Sequence, residues 1–198
     1  LLSGQRHDWV ICSKVGEEFN AGESSFNFTP EHTRRSIERS LKRLNTDYID
    51  MVLVHSDGND VDIIERYDIL GELAELKRQG LIRAFGMSTK TVEGGLLAAA
   101  HSDCVMVTYN LNERGEEPVL DYCAANNKGA LIKKALASGH IAAKNPAPDL
   151  HTKKTPQDPI QQSMDFLFQH PGVSSAIIGT INPQHLVSNI SKALKALA

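Results

Sequence analysis

Short apolar runs alternate with longer amphipathic ones along almost the whole chain, and this alternation limits the fold more than any other feature. Trp9-Val10-Ile11-Cys12-Ser13 reads as a buried strand, and Tyr48 to Val54 as a second. Four more follow at Ile82 to Gly86, Val105 to Thr108, Ala130 to Ile132 and Ser174 to Ile178. The first intervening helix is predicted from Pro30 to about Leu44, with Thr29 as its cap and Pro30 at the first helical position. The next is predicted over roughly Ile63 to Gln79, with Ile69, Leu70, Leu73 and Leu76 at helical spacing and Gly80 as its stop. Further helices are expected at Val92 to Ala100, Glu116 to Asn126, Ile160 to Gln169 and Pro183 to the end. Pro146, Pro148, Pro156 and Pro159 mark a long polar loop. Regular strand–helix alternation calls for parallel strands joined by right-handed crossovers, the α/β class. Doubly wound sheets and (β/α)8 barrels share that pattern. No Gly-x-Gly-x-x-Gly follows any strand, which argues against a Rossmann dinucleotide site.

Composition removes several function classes. With 41% hydrophobic and 23% charged residues the chain can fold as one globular domain over residues 1–198, and is not a disordered one. A net charge of −3 and the lack of a long basic run give nucleic-acid binding no electrostatic support. Every purely apolar run is much shorter than a membrane span, so no membrane partner is expected. Cys12, Cys104 and Cys123 are odd in number, widely spaced and without a Cys-x-x-Cys pair. Neither a zinc site nor a disulfide framework is expected, and a reducing cytoplasmic setting fits best. Cys104 and Cys123 read as small core residues, and Cys12 is placed on the strand face away from Lys14. Asp57, Asp60 and Asp62 lack calcium-loop spacing and read as a solvated loop, so no metal site is expected.

The segment from Ser36 to His55, SIERSLKRLNTDYIDMVLVH, resembles the helix-to-strand segment of the aldo-keto reductases, whose pattern there is roughly SLxRLxTDYIDLxxxH. Other landmarks follow in order. Cys12-Ser13-Lys14-Val15-Gly16 is similar to the family's xTKVG strand end. Leu76 to Ser88 is similar to LKxxGKIRxxGVS, and Tyr109-Asn110 to its YN strand end. Gly129 to Gly139 resembles GVLAYSPLAxGxL, and Ile178 through Asn189 the family's terminal cofactor segment. The resemblance implies a (β/α)8 TIM barrel in which this chain supplies strands three to eight, with the first two β/α units missing. Two open sheet edges would then favour association or a longer chain, although nothing in the sequence sets an oligomeric state.

The family reduces carbonyls by hydride transfer, using a tyrosine as general acid beside a lysine, an aspartate and a histidine. A phenol titrates near a pKa of about 10, and a neighbouring ammonium lowers it. By resemblance Lys14 is that lysine, and His55 is the histidine that offers a hydrogen bond to the substrate oxygen. Tyr48, Tyr67, Tyr109 and Tyr122 are the tyrosines present and none has the right context, so the proton donor and its aspartate are expected outside this sequence, leaving this chain alone inactive. Ser88 and Thr89 match the nicotinamide-contacting positions, with Thr89 in place of asparagine. Met106 stands where glutamine is common, Lys133 where an aromatic ring often stacks on the nicotinamide, and Ala135 where proline is usual. Lys133 or Lys134 is expected to neutralise the cofactor pyrophosphate. Gly179 and Thr180 before a helix suit a phosphate. Ile181 and His185 stand at the positions of the strongly basic residue that is often found there, and Asn189 matches an adenine-contacting asparagine. The resemblance therefore implies an NADPH-dependent reductase of small aldehydes or ketones, and the lack of a strongly basic residue at Ile181 or His185 makes a weak preference over NADH the expectation. The competing readings are a non-catalytic cofactor-binding barrel that acts as a regulatory or partner subunit and, less in keeping with the Tyr48-to-His55 segment, an unrelated phosphate-binding barrel.

Overall fold

The computed structural model describes residues 4–139 and 158–198, which form two compact units, Leu1–Met106 and Val107–Ala198. The first contains β1 (Cys12–Val15), β2 (Glu17–Asn20), β3 (Glu23–Phe26), α1 (Pro30–Leu44), β4 (Ile49–His55), α2 (Asp60–Tyr67), α3 (Ile69–Arg78), β5 (Ile82–Ser88), α4 (Val92–His101) and the first three residues of β6 (Cys104–Thr108). β1, β4, β5 and β6 lie side by side in that order, and each pairing is parallel. β2 and β3 form a separate antiparallel hairpin.

Local chemistry explains most of these elements. The Thr29 hydroxyl accepts from the His32 amide at 3.4 Å at the start of α1, and Asn45 ends the helix in the left-handed region at φ 51°. Ile37 and Leu41 are the buried apolar face of α1. In β4, Val52, Leu53 and Val54 are all fully buried, as expected of a parallel strand covered on both faces. Ile69, Leu73 and Leu76 of α3, at i, i+4 and i+7, are equally buried. A methyl group on Gly86 would lie 1.8 Å from the Cys104 carbonyl oxygen, so β5 and β6 approach as closely as they do only over a glycine.

Three features of this unit correct the sequence reading. The helix expected over Ile63 to Gln79 is two helices, broken at Asp68, which takes φ 49°. Aspartate tolerates that conformation, and its carboxylate lies over the first turn of α3, where the helix dipole favours negative charge. Gly71 leaves room for it, since a Cβ there would fall 2.2 Å from Asp68 Oδ1. The first strand starts at Cys12, and Trp9 and Val10 are 53% and 80% exposed. That stretch is held by polar contacts instead of a ladder: Arg6 donates to the Trp9 and Tyr48 carbonyls and pairs with Asp50 at 2.7 Å, and Asp50 also accepts from the Ile11 amide. Finally, Cys12 is two residues from Lys14 and so lies on the same strand face. Its thiol is exposed, and its pKa is raised by desolvation against the opposing Lys14 charge.

The second unit contains α5 (Glu117–Ala125), β7 (Gly129–Lys133), α6 (Pro159–Phe168), β8 (Ser175–Ala176) and α7 (Pro183–Ala196). β7 and β8 are parallel, with Ile132 opposite Ala176. The strand expected over Ser174 to Ile178 keeps a regular ladder at two residues only, flanked by bonds from the Ser174 amide to the Ala130 carbonyl and from the Ile177 amide to the Ile132 carbonyl. Asp158 caps α6, accepting from the Ile160 and Gln161 amides, and Pro159 opens that helix instead of belonging to a loop. Gln161 ties α6 to α7 by donating to the Lys192 carbonyl at 3.1 Å. The rest of the proline-marked loop, with His140 and His151, lies outside the described residues. No helix among the described residues is long and apolar enough to cross a membrane.

Gly86→Ala tests the β5–β6 approach. The added methyl cannot be accommodated without separating two backbones, so we expect a loss of about 1–3 kcal/mol, read as a melting temperature lowered by several degrees.

Candidate active site

The parallel register decides which side chains meet. Lys14 is opposite Leu53, Leu53 opposite Gly86, and His55 opposite Ser88. Side chains alternate along a strand, so Lys14, Leu53, His55, Gly86 and Ser88 share one face of the sheet. His55 and Ser88 are the last residues of β4 and β5, and Lys14 is one short of the end of β1. The structure thus brings Lys14, His55 and Ser88 together at the C-terminal ends of neighbouring strands, where parallel α/β proteins build their sites.

The β2–β3 hairpin, which the strand–helix alternation does not predict, frames His55. Its two-residue turn, Ala21 and Gly22, has φ 51° and 93°, the left-handed values a tight hairpin requires. Glu17 and Phe26 are cross-strand partners, and both meet His55. Glu17 Oε2 is 2.6 Å from His55 Nδ1, and the Phe26 ring meets the imidazole edge-on at 6.5 Å. The Ser24 hydroxyl donates to Glu17 Oε1 at 2.6 Å. Glu18, on the opposite hairpin face, fixes the hairpin to α1 through His32, Ser36 and Arg39. Gly16 makes the turn out of β1 at φ 101°, and a Cβ there would meet the Phe28 ring at 2.7 Å. The sequence carries little signal for this device: Gly22 beside Asn20 marks a turn, but the flanking EEFN and ESSF segments hold one apolar residue each and show no strand alternation.

Electrostatically, His55 lies between opposing influences. Burial pushes its pKa below the ordinary imidazole value; Glu17 acts in the opposite direction, and the charges of Lys14 and Lys90 add to the downward push. The Glu17 carboxyl is held below its ordinary range, first by the Ser24 hydroxyl and also by His55 and Lys90, against some desolvation. Lys90 comes from the loop between β5 and α4, which Asp60 holds in place. Asp60 is 1% exposed, and its Oδ2 accepts from the Lys90 and Thr91 amides and from the Thr91 hydroxyl, at 2.8, 2.7 and 2.7 Å. It is a buried brace at the start of α2, not part of the solvated loop the sequence suggested. Ser88 and Thr89 in the braced segment are buried, and the Thr89 amide donates to the Met106 carbonyl at 3.1 Å.

In the second unit, Lys134, Ala135, Leu136, Ser138, Gly139, Ile177, Ile178 and Gly179 line a cavity of about 290 Å³ at the C-terminal ends of β7 and β8. Lys134 takes φ 55°, and Asn110 holds it there by donating to its carbonyl oxygen at 3.1 Å. Of the residues the sequence assigned to the cofactor, this cavity joins Lys134 with Gly179. Lys133, Thr180, His185 and Asn189 are not among its described lining. Lys133 ends β7, half-buried, and Thr180 accepts from the Asn182 amide at 3.1 Å. His185 is exposed on α7, and Asn189 is buried in it. A nicotinamide cofactor's phosphates need positive charge and close backbone approach. An exposed lysine beside a glycine whose Cβ position is open fits that requirement.

The aldo/keto reductase family model matches residues 2–197, and the chain belongs to that family. A solved structure of a candidate aldo-keto reductase from Pseudomonas aeruginosa is 57% identical at a TM-score of 0.89, covering 100% of this chain and 71% of that one. The fold is accordingly that of the family's α/β barrels. An uncharacterised oxidoreductase of Schizosaccharomyces pombe is 30% identical over 83% of this chain and 53% of its own length. An aldo-keto reductase of the same yeast, whose name specifies NADP(+), is 30% identical over 74% of this chain and 45% of its own length. The chain thus spans about half the length of these two curated relatives.

Asp60→Ala tests the brace. Removing a buried acceptor of three hydrogen bonds leaves two backbone amides unpaired. Urea denaturation should show a loss of about 2–4 kcal/mol, whereas a loss below about 0.5 kcal/mol would refute the assignment.

Proposed function

We propose that the protein reduces the carbonyl group of small aldehydes or ketones to an alcohol with NADPH or NADH as cofactor. The observation that carries this reading is the placement of Lys14, His55 and Ser88 on one sheet face at the C-terminal ends of adjacent parallel strands. The bound cofactor supplies the hydride. By resemblance Ser88 and Thr89 would contact its carboxamide; in the second unit, taken by itself, Lys134 and Gly179 line a cavity that suits a phosphate, and Thr180, His185 and Asn189 are assigned to the adenosine end by resemblance.

His55 offers a hydrogen bond to the carbonyl oxygen, which lowers the cost of the negative charge that develops there. Lys14 places an ammonium beside that oxygen and lowers the pKa of a phenol acting as proton donor. That phenol lies outside these 198 residues in our reading. Among the tyrosines here, Tyr48 is sandwiched between the Arg6 and Arg83 guanidiniums, at 4.0 and 3.7 Å. Tyr67 packs on Phe28, and Tyr109 is buried against Phe166. A non-catalytic cofactor-binding subunit accounts for Lys134 and Gly179 equally well, but gives no reason for a carboxylate on His55 Nδ1.

The test is NAD(P)H oxidation by the intact protein across a panel of aldehydes and ketones. Lys14→Met should lower kcat by about a hundredfold or more, and equal rates in variant and parent would defeat the reading. Lys134→Ala should weaken cofactor binding about tenfold or more, as loss of a charge-assisted contact to phosphate does. Lys133→Ala, at a position outside the cavity, should weaken it less than about threefold. With no strongly basic residue at Ile181 or His185, NADPH should bind less than about tenfold more tightly than NADH.

A further inference from the structure

We propose that Glu17 is a positioning residue that fixes the proton of His55 on Nδ1 and so makes His55 a donor toward the carbonyl only in its imidazolium form; this rests on the function proposed above. A carboxylate can only accept a hydrogen bond. Glu17 Oε2 lies 2.6 Å from Nδ1, so that nitrogen carries the hydrogen. A neutral imidazole has a single N–H, and with it committed to Glu17, Nε2 is left with a lone pair. Nε2 gains a hydrogen to donate only when the ring takes a second proton. The pair therefore works as an orienting carboxylate works beneath a catalytic histidine: it sets the tautomer and supports the charged ring.

The hairpin is built to hold this carboxylate still. Both of its oxygens are engaged, Oε1 by Ser24 and Oε2 by His55. Phe26 packs against the same imidazole, and Glu18 anchors the opposite hairpin face to α1. The charged groups acting on His55 are Glu17 from β2, Lys14 from β1 and Lys90 from the loop after β5. Two of these three oppose protonation of the ring, and burial opposes it further. Glu17 is the one that favours it, so its removal lowers the pH at which His55 becomes charged.

Two readouts test the proposal in the intact protein. The first follows the His55 imidazole by NMR through a pH titration, with the signal assigned by its loss in His55→Gln. Glu17→Gln should lower the His55 midpoint by about half a unit to one unit. Ser24→Ala, which only loosens the carboxylate, should lower it less. The second is the pH profile of carbonyl reduction. Because the imidazolium is the active form, kcat falls as pH rises through the His55 midpoint. In Glu17→Gln that fall moves to lower pH, so kcat drops about three- to tenfold at a fixed pH above it and recovers toward the parent value in acid, with cofactor KM unchanged. A merely structural role for Glu17 would lower kcat at every pH alike. An unmoved His55 midpoint overturns the proposal, and so does a midpoint that moves while the kcat profile stays in place. If the parent protein reduces no carbonyl although the midpoint moves, the functional reading fails and the Glu17–His55 pairing stands.

Discussion

The parallel ladder of β1, β4 and β5 is the constraint on which the site rests. Its register sets Lys14, Leu53 and Gly86 at one level and His55 beside Ser88 two residues further along. A shift of one residue in either pairing would turn the polar ends to the other face and bring Val15, Val54 or Met87 into their place. Burial prevents such a shift. Val52, Leu53 and Val54 are inaccessible to solvent, and Gly86 fits against Cys104 with no space for a methyl group. The apolar packing that stabilises the strands therefore also fixes the position of the chemistry at their ends.

Much of this was legible in the sequence, and for specific reasons. α1 follows from Thr29, Pro30 and the spacing of Ile37 and Leu41, all of them local signals, and its observed bounds match the expected ones. β4 was legible because a strand buried on both faces is a continuous apolar run. The departures arise where the cause is tertiary. Asp68 divides a helix whose periodicity runs through the break: it takes a left-handed conformation, and its carboxylate occupies the space that Gly71 leaves open. Trp9 and Val10 look like strand residues but precede a strand that pairs only with β4 inside its unit, where Arg6 and Asp50 take over the backbone. Asp60 reads as a loop carboxylate until the two amides it serves, some thirty residues away in sequence, are seen to close on it. Glu17 was missed for the same reason: its significance depends on His55, brought near by folding.

The surroundings of His55 show how a site is tuned by groups of modest individual effect. Desolvation acts most strongly on the ring and lowers its pKa, the ammonium groups of Lys14 and Lys90 act in the same direction, and the Glu17 carboxylate opposes them. Each comes from a different element: a strand, a hairpin arm and a loop. The sensitivity of the ring to its environment is thereby spread over parts of the fold with separate supports, the contacts of Glu18 with α1 for the hairpin and Asp60 for the loop.

The hairpin's alternation carries a consequence for how this family member can change over time. Glu17 and Glu18 are adjacent and point opposite ways, one to the imidazole and one to α1. Insertion or deletion of a single residue at the base would exchange their roles, sending the anchor into the site and the orienting carboxylate onto a helix. The tip at Ala21 and Gly22 has no such obligation, since nothing lies within 4 Å of a Cβ built at Gly22. Length variation among relatives should therefore accumulate at the tip, while the four residues from Val15 to Glu18 keep their count.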